Sequence, residues 1–178
     1  SSIVSDLEKI IENYRLTLAA TKQGTKVVGN EEEIQNSLFR FCEDYLDSHR
    51  VDTEHLFNKE SKDLLGYFFP QQLVALVFQQ ITEWRSQTAF CFPGHYVKSL
   101  MIRLLVFCFR LTRGKHIEEK EFLFDQIKLI DTYLIANELV VRVSDTFAVT
   151  YDEEDISYVN RQLVGYGVKL NSKSHKSY

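Results

Sequence analysis

The chain has 178 residues, of which 44% are hydrophobic and 26% are charged, and its formal net charge at pH 7 is −4. This length and composition predict one globular domain that buries a sufficient core without disulfides or structural metals. The mildly acidic balance counts against a protein whose main task is to neutralise nucleic-acid phosphates.

The residue types favour an intracellular helical protein. The chain combines 13 phenylalanines and 9 tyrosines with only 7 glycines and 2 prolines, which predicts long helices and an aromatic-rich core. Its cysteines, Cys42, Cys91 and Cys108, are odd in number and widely spaced, so we expect no disulfide framework and a reducing, cytoplasmic location. The longest apolar run, Leu100 to Phe109, is about half a membrane span, so we expect no membrane partner.

Apolar residues recur at helical spacing along most of the chain. The predicted helices cover residues 5–24, 31–45, two short pieces near 56–57 and 64–67, 70–84, 95–111, 117–136 and 152–163. Together they predict a mainly α fold, an irregular bundle of about six helices. We expect a single domain over residues 1–170 and a flexible basic tail over 171–178.

The segment 95–111 is apolar around most of its circumference, as is typical of a helix in the middle of a bundle. Its polar residues Tyr96, Ser99, Arg103 and Arg110 fall near one line at about 100° per residue. We therefore predict a central helix with one narrow polar stripe.

The two arginines of this stripe need partners, because a charged group among apolar neighbours is costly to desolvate. We favour a structural reading, in which Arg103 and Arg110 pair with an acid such as Asp44, Asp47 or Glu83 on a neighbouring helix. The alternative is an anion or carboxylate site that faces a cavity.

The pattern changes after residue 138. Residues 139–143 and 147–151 are rich in β-branched and aromatic residues, and the segment Ser144-Asp145-Thr146 separates them. This arrangement predicts a small β-hairpin over 139–151, near the C-terminus.

The histidines and acidic clusters do not predict a metal site. No two histidines lie three or four residues apart on one helix. The acidic run from Asp152 to Asp155 lacks the calcium-loop pattern, since Ser157 and Leu163 occupy its sixth and twelfth positions. We interpret the run as the acidic start of a helix, and we expect no cofactor.

The stretch from Arg110 to His116, Arg-Leu-Thr-Arg-Gly-Lys-His, separates an arginine and a histidine by five residues. It resembles the motif of the HEPN superfamily, small helical bundles many of which are metal-independent ribonucleases. The resemblance implies that His116 moves a proton on a 2′-hydroxyl while Arg110 stabilises the phosphate. The alternative, which we favour, is a cluster of basic residues at a helix C-terminus, where the dipole stabilises them.

The C-terminal segment suggests a second alternative, nucleic-acid binding. The charges after Ile156 are all basic, namely Arg161, Lys169, Lys173 and Lys176. With the predicted hairpin they resemble a winged helix. The acidic helix before the hairpin would repel phosphate, so a small β-flap covering one end of the bundle is the favoured reading.

The expected function is therefore non-enzymatic: a regulatory or adaptor domain that binds another protein or a second copy of itself. Amphipathic helices suit such contacts, and the residue sets that catalysis requires are poor in this sequence. The predicted contact residues are Tyr96, Arg103, Arg110 and Arg113.

Overall fold

The computed structural model describes residues 31–118 and 130–171. In these ranges, helices α1 to α6 span Glu31–Ser48, Lys59–Leu65, Gln71–Ser86, Val97–Thr112, Ile130–Phe147 and Glu153–Gly165, and strands β1 and β2 span Phe90–Cys91 and Lys169–Leu170. The fold is mainly helical with a small two-stranded antiparallel sheet, which confirms the predicted fold class. The predicted helix over 5–24 and residues 172–178 of the predicted tail lie outside the described residues.

Helix α4 occupies the centre of the molecule. It packs against α1, α3, α5 and α6, and twelve of its 16 residues are buried. A helix surrounded on most sides must be apolar on most sides, so the predicted central helix is confirmed. Within the described ranges, no helix combines the length and the hydrophobicity that a membrane crossing requires.

Local signals explain where the helices begin. Pro70 precedes α3 directly, where its missing N–H removes no helical hydrogen bond. Asp152 is the N-cap of α6: its carboxylate accepts a hydrogen bond from the Asp155 backbone N–H at 3.1 Å. The Asp155 carboxylate in turn accepts from the Asp152 N–H at 2.9 Å, which completes a capping box. The acidic run therefore starts a helix, as predicted.

The predicted hairpin over 139–151 is wrong, because residues 139–147 continue helix α5. The buried residues Leu139, Val140 and Val143 of this segment follow Ala136 at the three- and four-residue spacing of a helix face. β-branched residues lower helix propensity only slightly, so packing of this face outweighs their preference for strands. The helix ends at Phe147, and Ala148 takes the left-handed conformation, with φ 53°.

The observed sheet joins two segments that are distant in the chain. Phe90 lies opposite Leu170 and Cys91 opposite Lys169, so the segment between α3 and α4 is tied to the segment after α6. Gly167, at φ +84°, turns the chain into β2, and a Cβ there would lie 3.1 Å from Pro93 Cγ. This position therefore requires glycine.

The prediction of an aromatic-rich core is not supported. In the described residues the buried core is mainly aliphatic, and the aromatic rings meet in groups of two or three. Phe69 and Phe109 meet edge to face with centroids 5.1 Å apart, and Phe107 stacks on Tyr158 at 4.8 Å. The large rings thus fill local gaps between helices and do not form one cluster.

Candidate functional site

Three residues of the polar stripe, Ser99, Arg103 and Arg110, face α1. Successive polar pairs join the two helices in opposite chain order: Arg110 with Glu31, Arg103 with Asn36, Ser99 with Glu43, and Lys98 with Asp47. The two helices are therefore antiparallel. Most residues of the stripe form contacts between these two helices.

Arg110 makes the strongest of these contacts. Its Nε and NH2 atoms donate to the two carboxylate oxygens of Glu31 at 2.7 and 2.6 Å, and both side chains are only 10% exposed. Gln35 also donates to Glu31 Oε2, at 3.1 Å. Such a two-point ion pair is the strongest geometry for arginine and a carboxylate, and Arg110 sits at a helix C-terminus, where the dipole also favours it.

The predicted ion pair of Arg110 is present, but none of the three predicted acids provides it. Asp47 pairs with Lys98, Glu83 pairs with Arg142, and Asp44 is exposed. Glu31 takes the place of these acids because the antiparallel order of α1 and α4 sets it beside the C-terminal end of α4.

Arg103 is held between α1 and α6. Its NH1 donates to Asn36 Oδ1 at 2.6 Å, and its guanidinium carbon lies 3.9 Å from the ring centroid of Phe39. Its Nε is buried, with no hydrogen-bond partner among the described residues. Burial raises the pKa of the adjacent Tyr158 phenol to about 12, an effect that the positive charge of Arg103 opposes.

His116 meets the capping box of α6. Its Nδ1 lies 2.8 Å from Oδ2 of Asp155, whose side chain is fully buried, while the histidine side chain is 30% exposed. One potential ligand atom from each of His116, Asp152 and Asp155 lies within 4.8 Å of the others. Burial raises the pKa of Asp155, and the hydrogen bonds from the Asp152 backbone and from His116 oppose this effect.

The structure gives Arg110 and His116 different acidic partners, Glu31 and Asp155. Gly114, with φ 72°, lies between them just after the end of α4. Arg113 is exposed, with its guanidinium carbon 5.1 Å from the ring centroid of Phe109. The three basic residues near this helix C-terminus therefore contact three different residues, Glu31, Phe109 and Asp155.

Tyr96 lies on an aromatic surface formed by the exposed His95 and Tyr96 and the partly buried Tyr166. The Tyr96 ring centroid lies 4.2 Å from that of His95 and 6.3 Å from that of Tyr166, and Tyr96 is 47% exposed. The residues that its ring contacts are therefore different from those of the polar pairs between α1 and α4.

The basic C-terminal residues are spread out. Arg161 lies over Tyr158, with 5.7 Å from its guanidinium carbon to the ring centroid, and Lys169 is exposed on β2. Lys173 and Lys176 lie outside the described residues. Because residues 139–147 are helical, the hairpin that would form the wing of a winged helix is not present there.

Sequence reasoning missed two features of these sites, the contact of His116 with Asp155 and the place of Tyr166 beside Tyr96. Asp152 and Asp155 have the three-residue spacing of a capping box, so the sequence carried a local signal for the acids. No local signal relates His116 to a residue 39 positions away.

No protein-family model, no curated protein and no solved structure matches this chain.

Proposed function

We propose that this chain is a non-enzymatic regulatory or adaptor domain that binds another protein through the aromatic surface of His95, Tyr96 and Tyr166. The observation that carries the proposal is the exposure of the Tyr96 ring, 47%, beside a second tyrosine and a histidine. Tyrosine is enriched at protein–protein contacts because its ring buries a large apolar area and its hydroxyl still finds a polar partner.

The backbone beneath this surface is held in place. Tyr96 ends a short 3₁₀ turn that follows Pro93, and Gly167 packs close to the Pro93 ring. One residue further back, Phe92 stacks on the buried Trp84 at 6.2 Å. A surface that is already ordered loses less conformational entropy when a partner binds, which favours affinity.

The charge near this surface favours an acidic partner. In the described residues after Ile156 the formal charges, Arg161 and Lys169, are both positive, and Lys169, three residues after Tyr166, is exposed. A symmetric contact between two copies would bring the exposed Lys169 of each copy towards the same contact, and like charges disfavour that arrangement. We therefore infer an acidic protein surface as the partner.

The nuclease alternative has less support. Arg110 is committed to a nearly buried two-point ion pair with Glu31, and releasing it for a phosphate would leave a buried carboxylate without its partner. Nucleic-acid binding through Arg161, Lys169, Lys173 and Lys176 rests on charge alone. It becomes an outcome of the experiment that tests protein binding.

The experiment places a photo-crosslinking amino acid at position 96, in the full chain, in cells that produce the protein. The matched control carries it at Tyr67, which is 63% exposed and lies between α2 and α3. We expect a discrete protein adduct at position 96 and none at position 67. The purified partner should then bind Tyr96→Ser at least about tenfold more weakly than wild type, and Tyr67→Ser within about twofold.

Three results would contradict the proposal. The adduct at position 96 contains only a second copy of the chain, or only nucleic acid, or the identified protein binds Tyr96→Ser as tightly as wild type.

A further inference from the structure

His116, Asp152 and Asp155 bring together the ligand types of a transition-metal site. Each contributes a potential ligand atom, and these atoms lie within 4.8 Å of one another. We propose that the three side chains bind one divalent transition-metal ion of the Zn²⁺ type, which links the segment after α4 to the start of α6. This site is separate from the aromatic surface to which the proposed function is assigned.

One oxygen of the Asp155 carboxylate accepts no hydrogen bond from the described residues. Its side chain is fully buried, and Oδ2 already accepts from the Asp152 backbone and contacts His116 Nδ1. Its other oxygen, Oδ1, is also buried and has no hydrogen-bond partner among the described residues. A buried carboxylate oxygen without a partner is costly, and a bound cation would neutralise the carboxylate's charge.

The donor set suits a borderline metal. Imidazole nitrogen favours Zn²⁺ and related ions, and carboxylate oxygens complete such sites, whereas Ca²⁺ and Mg²⁺ prefer oxygen alone. Zinc–ligand bonds of about 2.0–2.2 Å place neighbouring donor atoms roughly 3–3.5 Å apart. The 2.8 Å contact between His116 and Asp155 therefore needs only a small opening to admit the ion.

The local charge favours a cation in spite of the helix N-terminus. The end of α6 presents a partial positive charge of roughly +0.5, which by itself would repel a metal ion. The residues there, Asp152, Glu153, Glu154 and Asp155, are all acidic and outweigh it. A neutral His116 adds no charge when it acts as a ligand.

The chain also offers a matched control. Asp52, Glu54 and His55 form a second cluster of one histidine and two acids, whose potential ligand atoms also lie within 4.8 Å of one another. All three are exposed, and none contributes a buried side-chain atom that lacks a hydrogen bond. Substituting a residue of this cluster therefore shows how much zinc binding comes from an exposed group of acids with a histidine.

The test titrates Zn²⁺ into the full chain by calorimetry after removal of metal with EDTA. The parent protein carries Cys91→Ser, since an exposed thiol also binds zinc. Three variants are compared: His116→Gln, Asp152→Asn, in which asparagine keeps the N-cap, and the control His55→Gln. Circular dichroism and thermal unfolding in EDTA establish that each variant is folded.

We expect one zinc equivalent in the parent and in His55→Gln, with an affinity at least about tenfold lower in His116→Gln and in Asp152→Asn. Zinc should also raise the melting temperature of the parent and of His55→Gln more than that of the two site variants. The proposal fails if the parent binds no zinc, if His116→Gln binds like the parent, or if His55→Gln loses as much affinity as His116→Gln.

Discussion

His55 shows how one neighbour raises the pKa of a surface residue. Its Nδ1 lies 2.6 Å from Asp52 Oδ1, and the same oxygen accepts a hydrogen bond from the His55 backbone N–H at 2.9 Å. The hydrogen bond to Asp52 and the charge of that carboxylate raise the pKa of His55 above its ordinary value of 6.5. The contacts of His55 lower the pKa of Asp52 in return, first through the backbone hydrogen bond.

We predict that Asp52→Asn lowers the pKa of His55 towards 6.5, measured by proton NMR titration of the imidazole ring. Because the folded-state pKa is raised, the contact stabilises the fold fully below pH 6.5, the pKa of the unfolded chain, and this contribution disappears as the pH rises through the folded-state pKa. Asp44→Asn, which removes another exposed acid, serves as the control. An unchanged titration curve in Asp52→Asn would refute this account of His55.

At the residue scale, burial separates the cysteines into two groups. Cys42 and Cys108 are buried, and burial raises the pKa of the Cys42 thiol to about 12. Burial also raises the pKa of Cys108. Both thiols therefore remain protonated and act as small apolar side chains, whereas Cys91 is exposed.

At the scale of elements, the pairing of α1 with α4 depends on polar pairs of unequal burial. Glu31 and Arg110 are each 10% exposed, whereas Asp47, the partner of Lys98, is 59% exposed. Removing one partner of a buried ion pair leaves an uncompensated charge, whereas water readily replaces the partner of an exposed one.

We predict that Glu31→Gln lowers the free energy of unfolding by about 3 kcal/mol, measured by urea denaturation. The control Asp47→Asn should lower it by less than about 1 kcal/mol. The double variant Glu31→Leu, Arg110→Met should recover much of the loss, because it removes both charges together. Equal losses in Glu31→Gln and Asp47→Asn would show that the buried pair does not hold the helices together.

The segment 139–147 shows where residue preferences mislead at this scale. Its β-branched residues favour a strand when they are considered by type, but the spacing of Leu139, Val140 and Val143 continues the buried helical face that includes Ala136. Periodicity over several turns is the better guide, since packing against neighbouring helices follows the spacing of the residues and not their individual propensities.

For the whole molecule, the position of α4 decides stability. Leu104 is fully buried, at the middle of a helix that packs against four others. A leucine in this position has neighbours on every side, so truncating it leaves a cavity that the surrounding helices close only in part.

We predict that Leu104→Ala lowers the free energy of unfolding by about 2–5 kcal/mol, measured by chemical denaturation. The matched control is Leu134→Ala on α5, where the leucine is 62% exposed, and there we expect a change within about 0.5 kcal/mol. If both variants lose the same small amount, α4 is not the centre of the core.

The sequence by itself determined the mainly helical fold, the central apolar helix and the cap of α6, because these follow from residues within a few turns of one another. Only the tertiary structure decided that Glu31 pairs with Arg110, that His116 meets Asp155, and that β1 pairs with β2. Glu31 and Arg110 are 79 positions apart in the chain, and His116 and Asp155 are 39 apart. The polar atoms of these buried and partly buried side chains need hydrogen-bond partners. The packing of the helices determines which partner lies close enough.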